Sequence, residues 1–164
     1  MNYKKIDTID LDKIKKELSS IKFTRTYALQ GTSKDEDPFK YIIPDNGSIN
    51  AWERAPKGIT AKDLTITLFD TPYINSLIDK FKIGYTRVCI LDSKKCYSLH
   101  KDISKRIHIP IETNDKCFFV IDDKVVRLPA DGSVYEVDTT KIHTFVNASI
   151  NPRIHIVGTL LDYK

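Results

Sequence analysis

From Tyr85 to its end the chain is a succession of short runs rich in β-branched and aromatic residues, each closed by turn residues. Positions 87–91, 106–112, 117–121, 124–128, 133–137, 142–147 and 153–160 read as strands. Asp122-Asp123, set between Val120-Ile121 and Lys124-Val125-Val126, predicts a tight hairpin, and Ala130-Asp131-Gly132 a second reversal. A series of short antiparallel strands buries its apolar side chains as a sandwich or barrel. The first half has a different texture. Leu11, Ile14, Leu18 and Ile21 recur at helical spacing behind Asp10 as a cap, and Ile74, Leu77, Ile78 and Phe81 do so behind Asp70-Thr71-Pro72. Between them lie a strand-like stretch at 23–31, a loop through Pro38 into Tyr41-Ile42-Ile43, a turn at Pro44-Asp45-Asn46-Gly47, and a further strand-like stretch at 64–69. The expected architecture is mainly β, a double-stranded β-helix (jelly-roll, cupin-like) core with one to three helices packed on the outside.

The chain has 164 residues, 41% of them hydrophobic, which suits one domain that buries roughly two-thirds of its unfolded-chain surface. We expect residues 1–84 to form helical and β support on the substrate side and residues 85–164 the β core. No apolar run approaches the ~20 residues of a membrane span, and the start runs into charged sequence, so the expected compartment is the cytoplasm. Cys89, Cys96 and Cys117 are odd in number and lack Cys-x-x-Cys spacing, which fits free thiols in a reducing compartment. Basic residues outnumber acidic ones by 26 to 22 but do not cluster, so the charge does not indicate a nucleic-acid partner.

Six positions in the second half carry chemistry. In an extended segment alternate side chains share a face, so His100 and Asp102 point the same way while Lys101 points away. His143, at the start of a later run, is the natural third partner. Two imidazoles and one carboxylate can cap a face of an octahedral Fe(II) ion and leave the opposite positions open for a chelating acid and for dioxygen. His-x-Asp by itself is weak, and an exposed solvated pair is the bland reading. Arg153 alternates with Ile154 and Ile156; a guanidinium on an apolar strand is costly to bury unless a carboxylate meets it. That carboxylate belongs either to a bound diacid or to a local Asp or Glu. Arg106 and His108 share parity against Ile107, Ile109 and Ile111. They either join the face of His100 and Asp102, or leave Arg106 in water at a strand start and His108 as a hydrogen-bonded core residue.

Taken in order, His100-Lys101-Asp102, Arg106-Ile107-His108-Ile109-Pro110-Ile111, the run from Leu128 to Asp138, His143-Thr144-Phe145-Val146-Asn147 and Arg153-Ile154-His155-Ile156-Val157 resemble the aspartyl/asparaginyl β-hydroxylases. These belong to the Fe(II)/2-oxoglutarate-dependent oxygenases. The resemblance covers roughly residues 85 to 162 and rests on the order and spacing of several elements together. It implies His100, Asp102 and His143 as iron ligands, Arg153 as the grip on the distal carboxylate of 2-oxoglutarate, and Arg106 and His108 as further support for that cosubstrate. The cofactors implied are Fe(II), 2-oxoglutarate and O2. The implied reaction hydroxylates an amino acid, or an amino-acid side chain of a peptide or protein, while 2-oxoglutarate is decarboxylated to succinate. With Asp102 present, a halogenating variant, which leaves that coordination position empty, is disfavoured. Arg25, Tyr27, Gln30, Trp52, Arg54 and Tyr97 are candidates for the substrate side, although Trp52 is more often a core residue. The alternatives are a non-catalytic cupin-like binding protein, and a cupin metalloenzyme that dispenses with 2-oxoglutarate and pairs Arg153 internally.

Overall fold

Period-two alternation along the strands gives the larger sheet two faces, each with its own apolar cluster. The computed structural model describes residues 1–42 and 58–162; the turn at Pro44-Asp45-Asn46-Gly47, together with Trp52 and Arg54, lies outside them. In chain order the elements are β1 (Tyr3–Thr8), α1 (Leu11–Leu18), β2 (Tyr27–Ala28), β3 (Gln30–Gly31), β4 (Ile66–Thr67), α2 (Pro72–Phe81) and β5 (Ile83–Leu91). They continue with β6 (Lys95–Cys96), β7 (Arg106–Glu112), β8 (Cys117–Ile121), β9 (Lys124–Val126), β10 (Ser133–Val137), β11 (His143–Asn147) and β12 (Arg153–Leu160). One sheet has the order β1-β10-β7-β12-β5-β2, the second β6-β11-β8-β9, and a small ribbon joins β3 to β4. Every pairing is antiparallel. The two main sheets enclose a jelly-roll core, with the two helices outside, as the sequence predicts.

The larger sheet has two unlike faces. Ile107, Ile109 and Ile111 of β7, Ile154 and Ile156 of β12, Val88 of β5 and Val134 of β10 meet Ile14 of α1 and Ile74, Leu77 and Ile78 of α2. The opposite face contributes Leu91, Tyr135 and Val137 to a second cluster, with Cys117, Phe119 and Ile121 of β8 and Phe145 of β11. Both hairpin readings hold. Asp122 and Asp123 take φ of 50° and 62°, the left-handed pair that a two-residue hairpin turn between β8 and β9 requires and that Asp tolerates. Gly132 closes the other reversal at φ 86°, where a side chain would also press on the Ile9 carbonyl.

Three elements differ from the sequence reading. β1 emerges from Tyr3-Lys4-Lys5-Ile6-Asp7-Thr8, which reads as charged lead-in, and it pairs along β10 as the edge of the larger sheet. Exposed lysines suit an edge strand because they discourage further strand addition. The first helix ends at Leu18 although the apolar spacing runs on to Ile21, because Ser19 and Ser20 turn their hydroxyls back onto the carbonyls of Lys16 and Glu17. Ile21 still packs on the core from the loop that follows. The stretch 23–31 yields only two short strands, β2 and β3.

The helices secure each other at one point. Asp10 caps α1 by accepting from Lys13 N at 3.1 Å. Thr71, the residue before α2, makes no such bond; instead Glu17 of α1 accepts from Tyr73 N at 2.7 Å and Ile74 N at 2.9 Å. A carboxylate there satisfies two otherwise orphan donors and complements the helix dipole. We expect Glu17→Ala to lower unfolding stability by about 1–2 kcal/mol, and Glu17→Gln by less, in denaturant titration. An unchanged Glu17→Ala would mean that solvent caps α2 equally well.

Candidate active site

His100 and His143 face each other across an isolated bridge between β11 and the segment before β7, His100 N donating to His143 O at 3.1 Å and His143 N to His100 O at 2.9 Å. Asp102 is tied down two residues later, its N–H donating to Thr139 O at 2.8 Å. Their side chains converge. His100 Nε2 lies 3.7 Å from Asp102 Oδ1, His143 Nε2 lies 3.7 Å from Asp102 Oδ2, and one ligand atom from each of the three residues falls within 4.8 Å of the others. Each imidazole is oriented by a backbone carbonyl. His100 Nδ1 contacts Ser98 O at 2.7 Å and His143 Nδ1 contacts Lys141 O at 2.9 Å, so both Nδ1 atoms carry the proton and both Nε2 atoms present a lone pair on the side of Asp102.

The donor set fits a divalent first-row metal. Asp102 Oδ2 is buried without a hydrogen-bond partner, a state costly for a carboxylate unless a cation completes it. Bonds of about 2.0–2.2 Å meeting at one ion readily span the 3.7 Å separations. Burial pushes the His143 pKa down from its ordinary value, against the upward pull of the Lys141 carbonyl and Asp102, which favours the neutral, ligating form.

Around this cluster the interior is cationic. Arg106 donates through Nη2 to Asp102 Oδ1 at 2.7 Å, which fixes the carboxylate and leaves its own Nε sealed and unpartnered. Arg153 is 2% exposed, stacked with its guanidinium carbon 3.5 Å from the Phe145 ring centroid. Its Nε and Nη1 are buried without partners, and no carboxylate among the described residues pairs with it. Burial pushes its pKa down, with Tyr97, Cys89 and Cys117 pulling the other way. His108 is buried and neutral, held well below its ordinary pKa by burial first and then by Arg153, Arg106, His143 and Arg87. His108 is near enough to His143 and Arg106 to feel both, and Arg106 reaches Asp102, so both side chains lie on the triad's side of β7.

Sequence reasoning missed three contributors. Arg87 of β5 stacks on the Tyr85 ring at 4.1 Å and has a buried, unpartnered Nη2. His155 shares the parity of Arg153, a signal that was available, and it is completely buried with its Nδ1 3.3 Å from that of His108. Asn147 secures the turn that delivers Arg153. Its Nδ2 donates to the carbonyls of Leu91, Asp92 and Asn151 at 2.8–3.1 Å, while its Oδ1 accepts from Ser149 N and Oγ. The proposed substrate-side residues fare unevenly. Tyr27 packs in the helix-side core, Gln30 spends its amide on Thr65 O, Ile83 O and Thr86 N, and Arg25 stacks on Phe39. Tyr97 is near enough to Arg87 and Arg153 to influence both charges.

A family model described as aspartyl/asparaginyl beta-hydroxylase matches residues 9–161, well beyond the segment that carries the resemblance in sequence. The chain belongs to the aspartyl/asparaginyl β-hydroxylase family. This family is part of the 2-oxoglutarate-dependent oxygenase superfamily. No curated protein matches the chain. Among solved structures, a cupin superfamily protein from Desulfitobacterium hafniense DCB-2 is similar at 14% identity and a TM-score of 0.38. The match covers 47% of this chain and 66% of that one, just under two-thirds of the neighbour. No helix among the described residues of this β-hydroxylase family member is long and apolar enough to cross a membrane.

The buried histidines give the metal-free protein a defined pH response. Burial, reinforced by Arg153, holds His108 and His155 well below their ordinary pKa. Below about pH 6.5 the unfolded chain therefore binds protons that the folded protein does not, and stability falls as pH falls. Each histidine contributes a slope of up to about 1.4 kcal/mol per pH unit. We expect these two residues to lower stability in chelator by less than about 1 kcal/mol from pH 7.5 to 6.5 and by a further ~1–3 kcal/mol by pH 5.5. Equal denaturation midpoints at pH 6.5 and 5.5 would contradict the neutral buried pair.

Proposed function

We propose that this chain is an Fe(II)/2-oxoglutarate-dependent dioxygenase that hydroxylates an amino acid, or an amino-acid side chain of a peptide or protein. The observation that carries the reading is Arg153, a buried guanidinium with orphan N–H groups, in the same interior as the His100, Asp102 and His143 cluster. Without an anion, that guanidinium bears a desolvation penalty of several kcal/mol that its stacking on Phe145 offsets only in part. The distal carboxylate of a diacid chelated at the metal meets this need, and a planar fork is suited to grip it. A cupin metalloenzyme that dispenses with 2-oxoglutarate would be expected to pair Arg153 internally, and no such partner exists among the described residues.

When bound, Fe(II) with 2-oxoglutarate and O2 supplies an oxidant able to hydroxylate an unactivated C–H bond, with succinate and carbon dioxide as coproducts. The protein residues supply orientation and charge. His100 and His143 present Nε2 lone pairs because the carbonyls of Ser98 and Lys141 hold their Nδ1 protons. Asp102 offers Oδ2 because Arg106 engages Oδ1. Arg153 anchors the diacid, with His108 as a further contact. Arg87 remains, a second cation with an unpartnered buried Nη2, and it suits a carboxylate on the substrate. That favours a free amino acid or a short acidic segment over an uncharged substrate.

Anaerobic addition of Fe(II) and 2-oxoglutarate is expected to give a visible metal-to-ligand charge-transfer band, absent in His143→Ala. Arg153→Leu is expected to retain metal and to weaken 2-oxoglutarate binding by roughly 100-fold or more, the loss of a buried bidentate charge pair. A normal band in His143→Ala would remove the assigned ligand, and unchanged cosubstrate affinity in Arg153→Leu would place the anchor elsewhere. Turnover is read as succinate, together with the gain of one oxygen by an amino acid in a mass-spectrometric screen. Absence of succinate with any of the amino acids would favour the binding-protein alternative.

A further inference from the structure

β5 carries one residue more than the strand beside it. Val157 of β12 lies opposite Arg87 and Thr159 opposite Gly84, so Tyr85 and Thr86 together face Gly158 alone, a β-bulge. The extra residue reverses parity. Ile83 and Arg87 stand four positions apart and would share a face in an unbroken strand. Ile83 instead packs in the helix-side core, while Arg87 lies in one cross-strand row with Val157 and His108, whose ring meets Phe119 edge to face inside the jelly roll. Tyr85 makes the bulge at φ 49°, a left-handed conformation that a bulky residue seldom adopts. Backbone groups withdrawn from the ladder are satisfied nearby. Tyr85 N donates to Leu64 O at 2.8 Å, Thr86 N to Gln30 Oε1 at 2.9 Å, and Gln30 Nε2 to Ile83 O at 3.3 Å.

The rest of Tyr85 engages Arg87. Its ring centroid lies 4.1 Å from the guanidinium carbon, its carbonyl accepts from Arg87 Nε at 3.2 Å, and its hydroxyl donates to the carbonyl of Tyr41. The bulge turns Arg87 into the interior, and ring and carbonyl then fix its stem and one flat face. What remains is Nη2, buried and without a partner among the described residues. A strained bulge that seats a cation this closely and leaves one donor unmet is preset for an anion. We propose that Tyr85 is a positioning residue for the hydroxylation reaction, bracketing Arg87 between its ring and its carbonyl so that Nη2 meets a carboxylate of the substrate. The identity of the ligand rests on the function proposed above; the bracket itself does not.

Glycine takes a left-handed φ freely, so Tyr85→Gly keeps the bulge and removes the ring, whereas Tyr85→Phe keeps the ring and removes only the hydroxyl. The first arm uses the metal-free protein labelled with 15N-arginine. Hindered rotation of a clamped guanidinium is expected to give separate Nη signals for Arg87 in the unaltered protein and in Tyr85→Phe, and a single averaged signal in Tyr85→Gly. Separate signals that persist in Tyr85→Gly overturn the bracket, whatever the protein binds. The second arm adds L-aspartate, a small probe with two carboxylates, to the anaerobic Mn(II) and 2-oxoglutarate complex in a calorimeter. Tyr85→Gly is expected to weaken L-aspartate binding by roughly 10-fold, the misplacement of one charged hydrogen bond, with 2-oxoglutarate affinity unchanged. Tyr85→Phe is expected to recover most of that loss. Equal L-aspartate affinity in Tyr85→Gly and the unaltered protein, or no L-aspartate binding by an unaltered protein that does bind 2-oxoglutarate, overturns the role toward substrate. A loss of 2-oxoglutarate affinity in Tyr85→Gly overturns it too, by assigning Arg87 to the cosubstrate. Failure of the unaltered protein to bind 2-oxoglutarate overturns the proposed function, and the arginine spectra then still decide the bracket.

Discussion

The site depends on two-residue alternation along β7 and β12, the pair at the centre of the larger sheet, kept over 106–111 and 153–156 although their pairing shifts register at Ile154/His155. On one side of these strands Ile107, Ile109, Ile111, Ile154 and Ile156 form the floor on which both helices pack. On the other, Arg106, His108, Arg153 and His155 enter the jelly-roll interior. A one-residue slip would send every isoleucine into the polar interior and every cation under the helices. Packing of the helices and positioning of the cations are thus one constraint, enforced by the same register of β12 against β5 and β7.

That arrangement concentrates positive charge at considerable cost. Three guanidiniums share an interior with Asp102, which among the described residues is the one carboxylate that pairs with any of them, and two imidazoles there are kept neutral. Aromatic faces meet part of the cost, Phe145 beneath Arg153 and Tyr85 beneath Arg87. The remaining unpartnered N–H groups are preorganised for anions, as are Asp102 Oδ2 and the Nε2 atoms of His100 and His143 for a cation. A fold selected for stability alone would place apolar residues at these positions. The incompleteness of the interior is its chemical content, and it marks which ligand charges complete the structure.

Much of this was legible in the sequence. The strands of the second half fall close to the stretches read from turn residues and β-branched runs, and the two hairpin reversals fall where Asp122-Asp123 and Gly132 predict. His100, Asp102 and His143 do converge, because parity within a short extended segment is a local property and the carboxylate follows its imidazole by two residues. β1 was not legible, since an edge strand with one face in water carries lysines in place of an apolar alternation. Asn147 gave no signal because its role is to bind three carbonyls that come together only in the folded turn. Arg87 and His155 were readable from parity with their neighbours, yet their importance depends on which residues face them across the interior. Tyr27 and Gln30 misled because a polar or aromatic residue in a short strand looks the same in sequence whether it lines a pocket or, as here, fills a core or satisfies backbone.

The account rests on one metal and one diacid sharing this interior, and a crystal structure of the protein grown without oxygen in Mn(II) and 2-oxoglutarate tests that most directly. It should show the ion among His100 Nε2, His143 Nε2 and Asp102 Oδ2, with the diacid chelating it and its far carboxylate on the Arg153 guanidinium. An ion bound away from those three atoms, or a diacid seated without touching Arg153, would contradict it.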